Sequence, residues 1–173
     1  SHFTECGSKR VKEGLDDNSV MLALPLPGFS GMIGTKEFDS DGAQLPRLGR
    51  ELAGAAKLAG VAGVYHSDEL PAYGIEQEFV DATRQALNGV DAFVLCLAPQ
   101  WQAELALESV LNRARLAFES IPQEVRNVVI RKGSPEDGTT TPMRPLPGGA
   151  RMYPETDIPP LSISSERWKN VLN

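Results

Sequence analysis

The chain has 173 residues, 41% of them hydrophobic and 6% aromatic, with a formal net charge of −6. This length allows one ordinary domain with extra segments at its ends, and the apolar share excludes global disorder while predicting an aliphatic core. No run approaches the roughly 18 to 20 uncharged apolar residues that span a bilayer, and the acidic balance argues against a broad nucleic-acid-binding face, because neutralising phosphates takes a surplus of Lys and Arg.

In chain order, Ser8 to Leu15 reads as a short helix stopping near Gly14. Lys9, Arg10 and Lys12 lead into Glu13, Asp16 and Asp17 rather than an apolar run, so no signal peptide is expected. Val20 to Leu26 reads as a strand stopped by Pro27 and Gly28. The turn from Pro27 to Gly34 carries a glycine every third residue, but no helix enters from it as a dinucleotide fingerprint requires, so its glycines serve the backbone. Thr35 to Gln44 is polar and reads as strand plus loop. Leu48, Leu52, Ala55, Ala56 and Ala59 mark a helix over 46–59 with Gly60 at its stop.

Val61 to Tyr65 is then expected as a short buried strand, and Asp68 to Gly74 as a turn-rich loop. A helix follows from Ile75 to Leu87, with Phe79, Val80, Thr83 and Leu87 on one face. Asp91 to Ala98 is continuously apolar after its first residue and should be the central strand. Gln100 to Ser120 is the longest helix, with Leu105, Val110, Ala114 and Ala117 as the expected inward stripe. The alternation of strands and helices predicts a sheet covered by helices in two layers. Residues 133–160 are rich in Gly, Pro and Thr with little periodicity, which suits a connector to another domain better than a loop of this one. Ser164 and Ser165 look like the capped start of a last helix.

Several strings together resemble the E subunit of the archaeal Glu-tRNA(Gln) amidotransferases. They are Leu26-Pro27-Gly28-Phe29-Ser30-Gly31, Leu48-Gly49-Arg50-Glu51-Leu52-Ala53, and Gly63-Val64-Tyr65-His66-Ser67-Asp68-Glu69-Leu70-Pro71-Ala72-Tyr73-Gly74-Ile75. Asp137-Gly138-Thr139-Thr140, Met143-Arg144-Pro145-Leu146-Pro147-Gly148 and Ala150-Arg151-Met152-Tyr153-Pro154-Glu155-Thr156-Asp157-Ile158-Pro159-Pro160 follow in the same order. Arg131 to Glu136 looks like extra loop, and Pro142 stands where an aromatic is more usual. In that family a cradle-like catalytic domain carries an inserted GAD domain, a module also found in bacterial-type aspartyl-tRNA synthetases. The resemblance implies that residues 1–19 flank the cradle, 20–125 form the GAD insertion, and 126–173 connect back into the cradle. It implies an α+β fold of two layers, a small mainly antiparallel sheet with helices on one face.

It also implies a parent enzyme that uses ATP and Mg2+ to activate Glu on tRNA and takes ammonia from an asparaginase-like D subunit. Glu-tRNA(Gln) would be its substrate, the cytoplasm its compartment and no membrane its partner. The isolated fragment would be inactive and hold no cofactor or metal.

Arg151, Glu155 and Asp157 are the candidate catalytic residues. On an extended segment the two carboxylates point the same way, which suits shared Mg2+ ligation or an amine, and Arg151 suits a phosphate or carboxylate. The alternative is that prolines fix this segment and its acids cap turns. Between Arg126 and Arg151 the basic residues exceed the acidic ones, so a local phosphate contact there competes with a solvated loop. His66, Ser67 and Asp68 have triad residue types, but adjacency is the wrong geometry. His66 reads as a structural histidine, and Asp68 and Glu69 as turn caps or surface contacts. Tyr73 and Trp101 suit stacking on a base, though single aromatics usually pack. Cys6 and Cys96 match no metal or redox spacing and read as reduced thiols. A synthetase insertion and a free-standing small-molecule-binding α/β domain are the competing readings. The Met152 to Asp157 motif speaks against the first, and chain ends that read as interrupted speak against the second.

Overall fold

A computed structural model describes residues 3–42, 44–119, 122–129 and 140–146. The elements in order are α1 (Lys9–Asp16), β1 (Val20–Pro25), α2 (Leu48–Lys57), β2 (Tyr65–His66), a 3-10 turn (Ser67–Glu69), α3 (Gln77–Ala86), β3 (Phe93–Ala98), α4 (Gln100–Glu119), β4 (Glu124–Val128) and β5 (Thr140–Pro145). The fold is α+β with a small antiparallel sheet, as the resemblance implied. Its strand order is β1-β3-β2, with β3 antiparallel to both neighbours. β3 takes the centre because its side chains are apolar in both directions, which only a strand covered on both faces can bury.

The period of two along β3 sorts the core into two clusters. Val94, Cys96 and Ala98 face one way, with Leu22 and Leu24 across the ladder, onto Ala103, Ala106 and Val110 of α4 and Leu52 and Ala56 of α2. Phe93, Leu95 and Leu97 face the other way, with Met21 and Tyr65, onto Val11 of α1 and Phe79 and Val80 of α3. Helix cover therefore extends to the second face, beyond the single covered face that was expected. Phe3 stacks on Phe79 with ring centroids 5.9 Å apart, which draws the segment before α1 into this second core.

The buried face of α4 is Ala103, Ala106, Leu107, Val110 and Ala114, at helical spacing. Val110 and Ala114 belong to the expected stripe, whereas Leu105 is 47% exposed and Ala117 is exposed. Leu105 lies five residues before Val110, well round the helix from it, and the small alanines are what let α4 approach α2 and the sheet. The strand expected from Val61 contracts to Tyr65–His66. The polar stretch 35–44 contributes only an isolated bridge between Phe38 and Gln44.

Within the expected connector, Thr140–Pro145 pairs antiparallel with Glu124–Val128, with a shift in register between Val125 and Arg126. A two-stranded ribbon has only edges, which is where a strand containing Pro142 and Pro145 is tolerated. Four charged side chains tie this ribbon to the main domain. Glu51 of α2 meets Arg113 of α4 at 2.8 Å and Arg126 of β4 at 2.7 Å. Glu124 of β4 meets Arg113 at 2.7 Å and also binds Arg126. Hydrogen bonding from Arg113 holds the Glu124 carboxyl below its usual range. Arg126, one of the basic residues weighed for a phosphate contact, is committed to this cluster.

Candidate functional site

The string from Gly63 to Gly74 lines an open cleft of about 600 Å³ between the first turns of α1 and α2. Local chemistry fixes each wall. His66 ends β2, fully packed, with Nε2 3.5 Å from Glu69 Oε2. Burial pushes its imidazole below the ordinary value, with the carboxylates of Glu69 and Asp68 opposing, so it stands neutral near pH 7. Ser67 Oγ accepts the Phe93 N–H at 3.2 Å and so joins the 3-10 turn to the central strand. The Asp68 carboxylate accepts the N–H of Gly31 at 3.2 Å and of Gly34 at 2.9 Å. These bonds latch the glycine-rich turn, and Gly34 is needed there because a Cβ would come within 2.9 Å of Asp68 Cβ. Asp68 is thus a structural acceptor, as its reading as a cap anticipated, and His66, Ser67 and Asp68 point to different tasks rather than to one reaction.

The turn latched by Asp68 in turn places α2. The Gly49 N–H donates to Ile33 O at 2.8 Å, and a Cβ on Gly49 would sit 2.9 Å from His66 Nε2. Arg47 and Arg50 in the first turn of α2 are thereby held on the cleft. On the opposite wall the Gly7 N–H donates to both Glu76 carboxylate oxygens, at 2.9 and 3.0 Å. This holds the start of α1, where Ser8, Lys9 and Arg10 line the same cleft.

Tyr73 closes the third side. Its φ of 58° is left-handed, which is uncommon for a bulky residue and marks a locally forced backbone. Its hydroxyl donates to Glu69 Oε2 at 3.1 Å, and its ring lies 5.6 Å from that of Tyr65. The negative charge of Glu69 pushes the Tyr73 phenol upward. The ring stays 61% exposed although held at both ends. Trp101 is also exposed but does not line this cleft.

The candidate residues Arg151, Glu155 and Asp157 lie outside the described residues, as do Ser164 and Ser165. Among the described residues no group of three or more His, Cys, Asp and Glu gathers as a metal site. Cys6 and Cys96 are both buried free thiols, and burial pushes the Cys96 thiol up to about 11, so it is an inert core group. No helix among the described residues is long and apolar enough to cross a membrane. Sequence reasoning missed Lys9, Arg10, Arg47 and Arg50 as a group, because each lies on a helix surface and the two pairs are far apart along the chain. The one local signal was Tyr73-Gly74 after Pro71-Ala72, a turn that offers an aromatic side chain to solvent.

Fold and cleft together define a small α+β module with a cationic, tyrosine-edged groove rather than a self-contained catalytic centre. The chain is 44% identical over 171 residues to the E subunit of the glutamyl-tRNA(Gln) amidotransferase of Methanopyrus kandleri. It is 45% identical over 172 residues to that of Thermococcus sibiricus and 42% over 171 to that of Methanosarcina acetivorans. Each match covers 98% of this chain and 25% of the relative, so the chain spans about a quarter of the length of the curated relatives it matches. No protein-family profile matches it. The resemblance carried by the motifs is thus borne out along nearly the whole chain, and what it matches is a segment of these E subunits.

Proposed function

We propose that this chain is the insertion module, with flanking segments, of the E subunit of a tRNA-dependent amidotransferase. In this reading the parent enzyme is a cytoplasmic, archaeal-type ligase of protein biosynthesis that converts Glu-tRNA(Gln) to Gln-tRNA(Gln). ATP and Mg2+ serve the activation of the glutamyl side chain, and ammonia comes from an asparaginase-like D subunit. The near-complete match to a quarter of the E subunit carries the reading. Residues 20–125 are assigned to the GAD insertion, with 1–19 and 126–173 leading to and from the catalytic cradle. The absence of a metal-binding group among the described residues supports placing nucleotide and metal chemistry in the parent's cradle.

Arg151, Glu155 and Asp157 belong to the chemistry in this reading. Arg151 is suited to hold a phosphate or carboxylate, and the paired acids are suited to a divalent cation or an amine. The test is Glu-tRNA(Gln) amidation by the full-length E subunit with its D partner. Glu155→Gln and Asp157→Asn should each lower Gln-tRNA formation by about a hundredfold or more, in the range of losses when a transition-state contact is removed, while Glu-tRNA binding persists. The isolated chain should hydrolyse no ATP. Full amidation by both variants would remove these residues from the reaction, and Glu-tRNA-dependent ATP turnover by the isolated chain would overturn the module reading.

A further inference from the structure

We propose that the cleft between α1, α2 and Tyr73 is a binding site for single-stranded RNA, with phosphates on its cations and one base on the Tyr73 ring. Four cationic side chains, Lys9, Arg10, Arg47 and Arg50, line it against the single carboxylate of Glu69. The chain as a whole has 23 acidic and 17 basic residues, so this is a local reversal of its charge. Glu69 is already engaged, accepting the His66 N–H at 3.3 Å and the Tyr73 hydroxyl at 3.1 Å. Lys9 reaches Glu13 at 3.7 Å, whereas Arg10, Arg47 and Arg50 make no ion pair among the described residues. Arginines left without a partner in an acidic protein leave their charge for an outside anion.

The backbone adds to the same field. The cleft is lined by residues from the first turns of two helices, α1 and α2, whose N–H groups have no partner within the helix and carry partial positive charge. The Ser8 side chain makes no cap bond to the first turn of α1, nor does that of Arg47 to α2. Tyr73 argues for a nucleic acid over a bare phosphate compound. Its forced backbone, the bond to Glu69 and the contact with Tyr65 spend three constraints on keeping an aromatic face at the mouth of the cleft. A presented ring beside a row of cations is how sequence-tolerant single-strand sites are built. The amidotransferase reading enters only in the choice of probe.

The test is fluorescence anisotropy of a labelled tRNA(Gln) transcript with the 173-residue chain, titrated across salt concentration. The double variant Arg47→Gln, Arg50→Gln should weaken binding about tenfold or more at low salt and reduce the salt slope by about two, one for each lost phosphate contact. Lys57→Gln, at the other end of α2, should bind as the parent does. Tyr73→Ala should weaken binding with the salt slope unchanged, and Tyr73→Phe should keep it. ATP and inorganic pyrophosphate should compete no better than sodium chloride of equal ionic strength. Binding unchanged in the double arginine variant, or weakened equally by Lys57→Gln, overturns the site. Specific competition by ATP or pyrophosphate would assign the cleft to a small phosphate compound instead. Either failure leaves the amidotransferase reading standing, since that rests on the match to the E subunits and is read by Gln-tRNA formation.

Discussion

Helix α2 carries two kinds of charge side by side, and they behave oppositely. Arg47 and Arg50 face the open cleft with no ion pair among the described residues, while Glu51, one residue further on, is buried between Arg113 and Arg126. The guanidinium groups of the cluster are matched to carboxylates and largely withdrawn from water. Those of the cleft stay solvated and unmatched. A charge whose partner is built into the fold does structural work, and one whose partner is missing is available to something outside it. The difference teaches that counting charges along a sequence conceals function, because Arg126 and Arg47 look alike until their partners are known.

The largest effect should come from breaking the matched set. Glu51→Ala leaves two partly buried guanidinium groups without a carboxylate. Removing one member of a buried pair costs about 3 to 5 kcal/mol, and the lower end applies here because Arg126 still reaches solvent. Urea unfolding monitored by circular dichroism measures this, and a loss no greater than that of the cleft variants would erase the contrast. A pH titration of stability should separate the two regions next. His66 titrates below its ordinary 6.5 in the folded chain, so the unfolded chain binds that proton more readily and stability declines as pH falls through 6.5. Glu124 also titrates low, so its contribution is present above its ordinary 4.5 and is lost as pH falls further. His66→Gln should remove the first decline and Glu124→Gln the second. Retention of the first decline in His66→Gln would assign it elsewhere. The smallest effect is expected from Arg47→Gln with Arg50→Gln, within about 0.5 kcal/mol of the parent because solvated surface substitutions rarely do more. A larger loss would mean that these arginines have structural partners after all.

The elements that local pattern specifies were legible. Helical spacing marked α2 and α3, and the uninterrupted apolar run from Ala92 to Ala98 marked the central strand. Family strings marked the segment that lines the cleft, but not what it lines. The β4–β5 ribbon was hidden because its pairing is non-local and two prolines interrupt β5. Leu105 was taken into the core for its size, whereas close helix packing selected Ala103 and Ala106. The cationic cleft was hidden for a different reason: its walls come from two helices separated along the chain by β1 and the glycine-rich turn, and only the fold brings them together.

The two faces of β3 are not interchangeable, and this gives the fold a check on its own assembly. One cluster is built around alanines, Cys96 and other compact side chains, and the other around Phe3, Phe79 and Phe93. If β3 slipped by one residue against its neighbours, every side chain would change face. Phe93 would then be forced into the tight seam lined by Ala103 and Ala106, while small groups left voids among the phenylalanines. The misaligned chain would be overpacked on one side and hollow on the other, and each fault is separately costly. A strand that is apolar throughout has no polar face to define its alignment, and here the contrast between large and small side chains supplies that missing information.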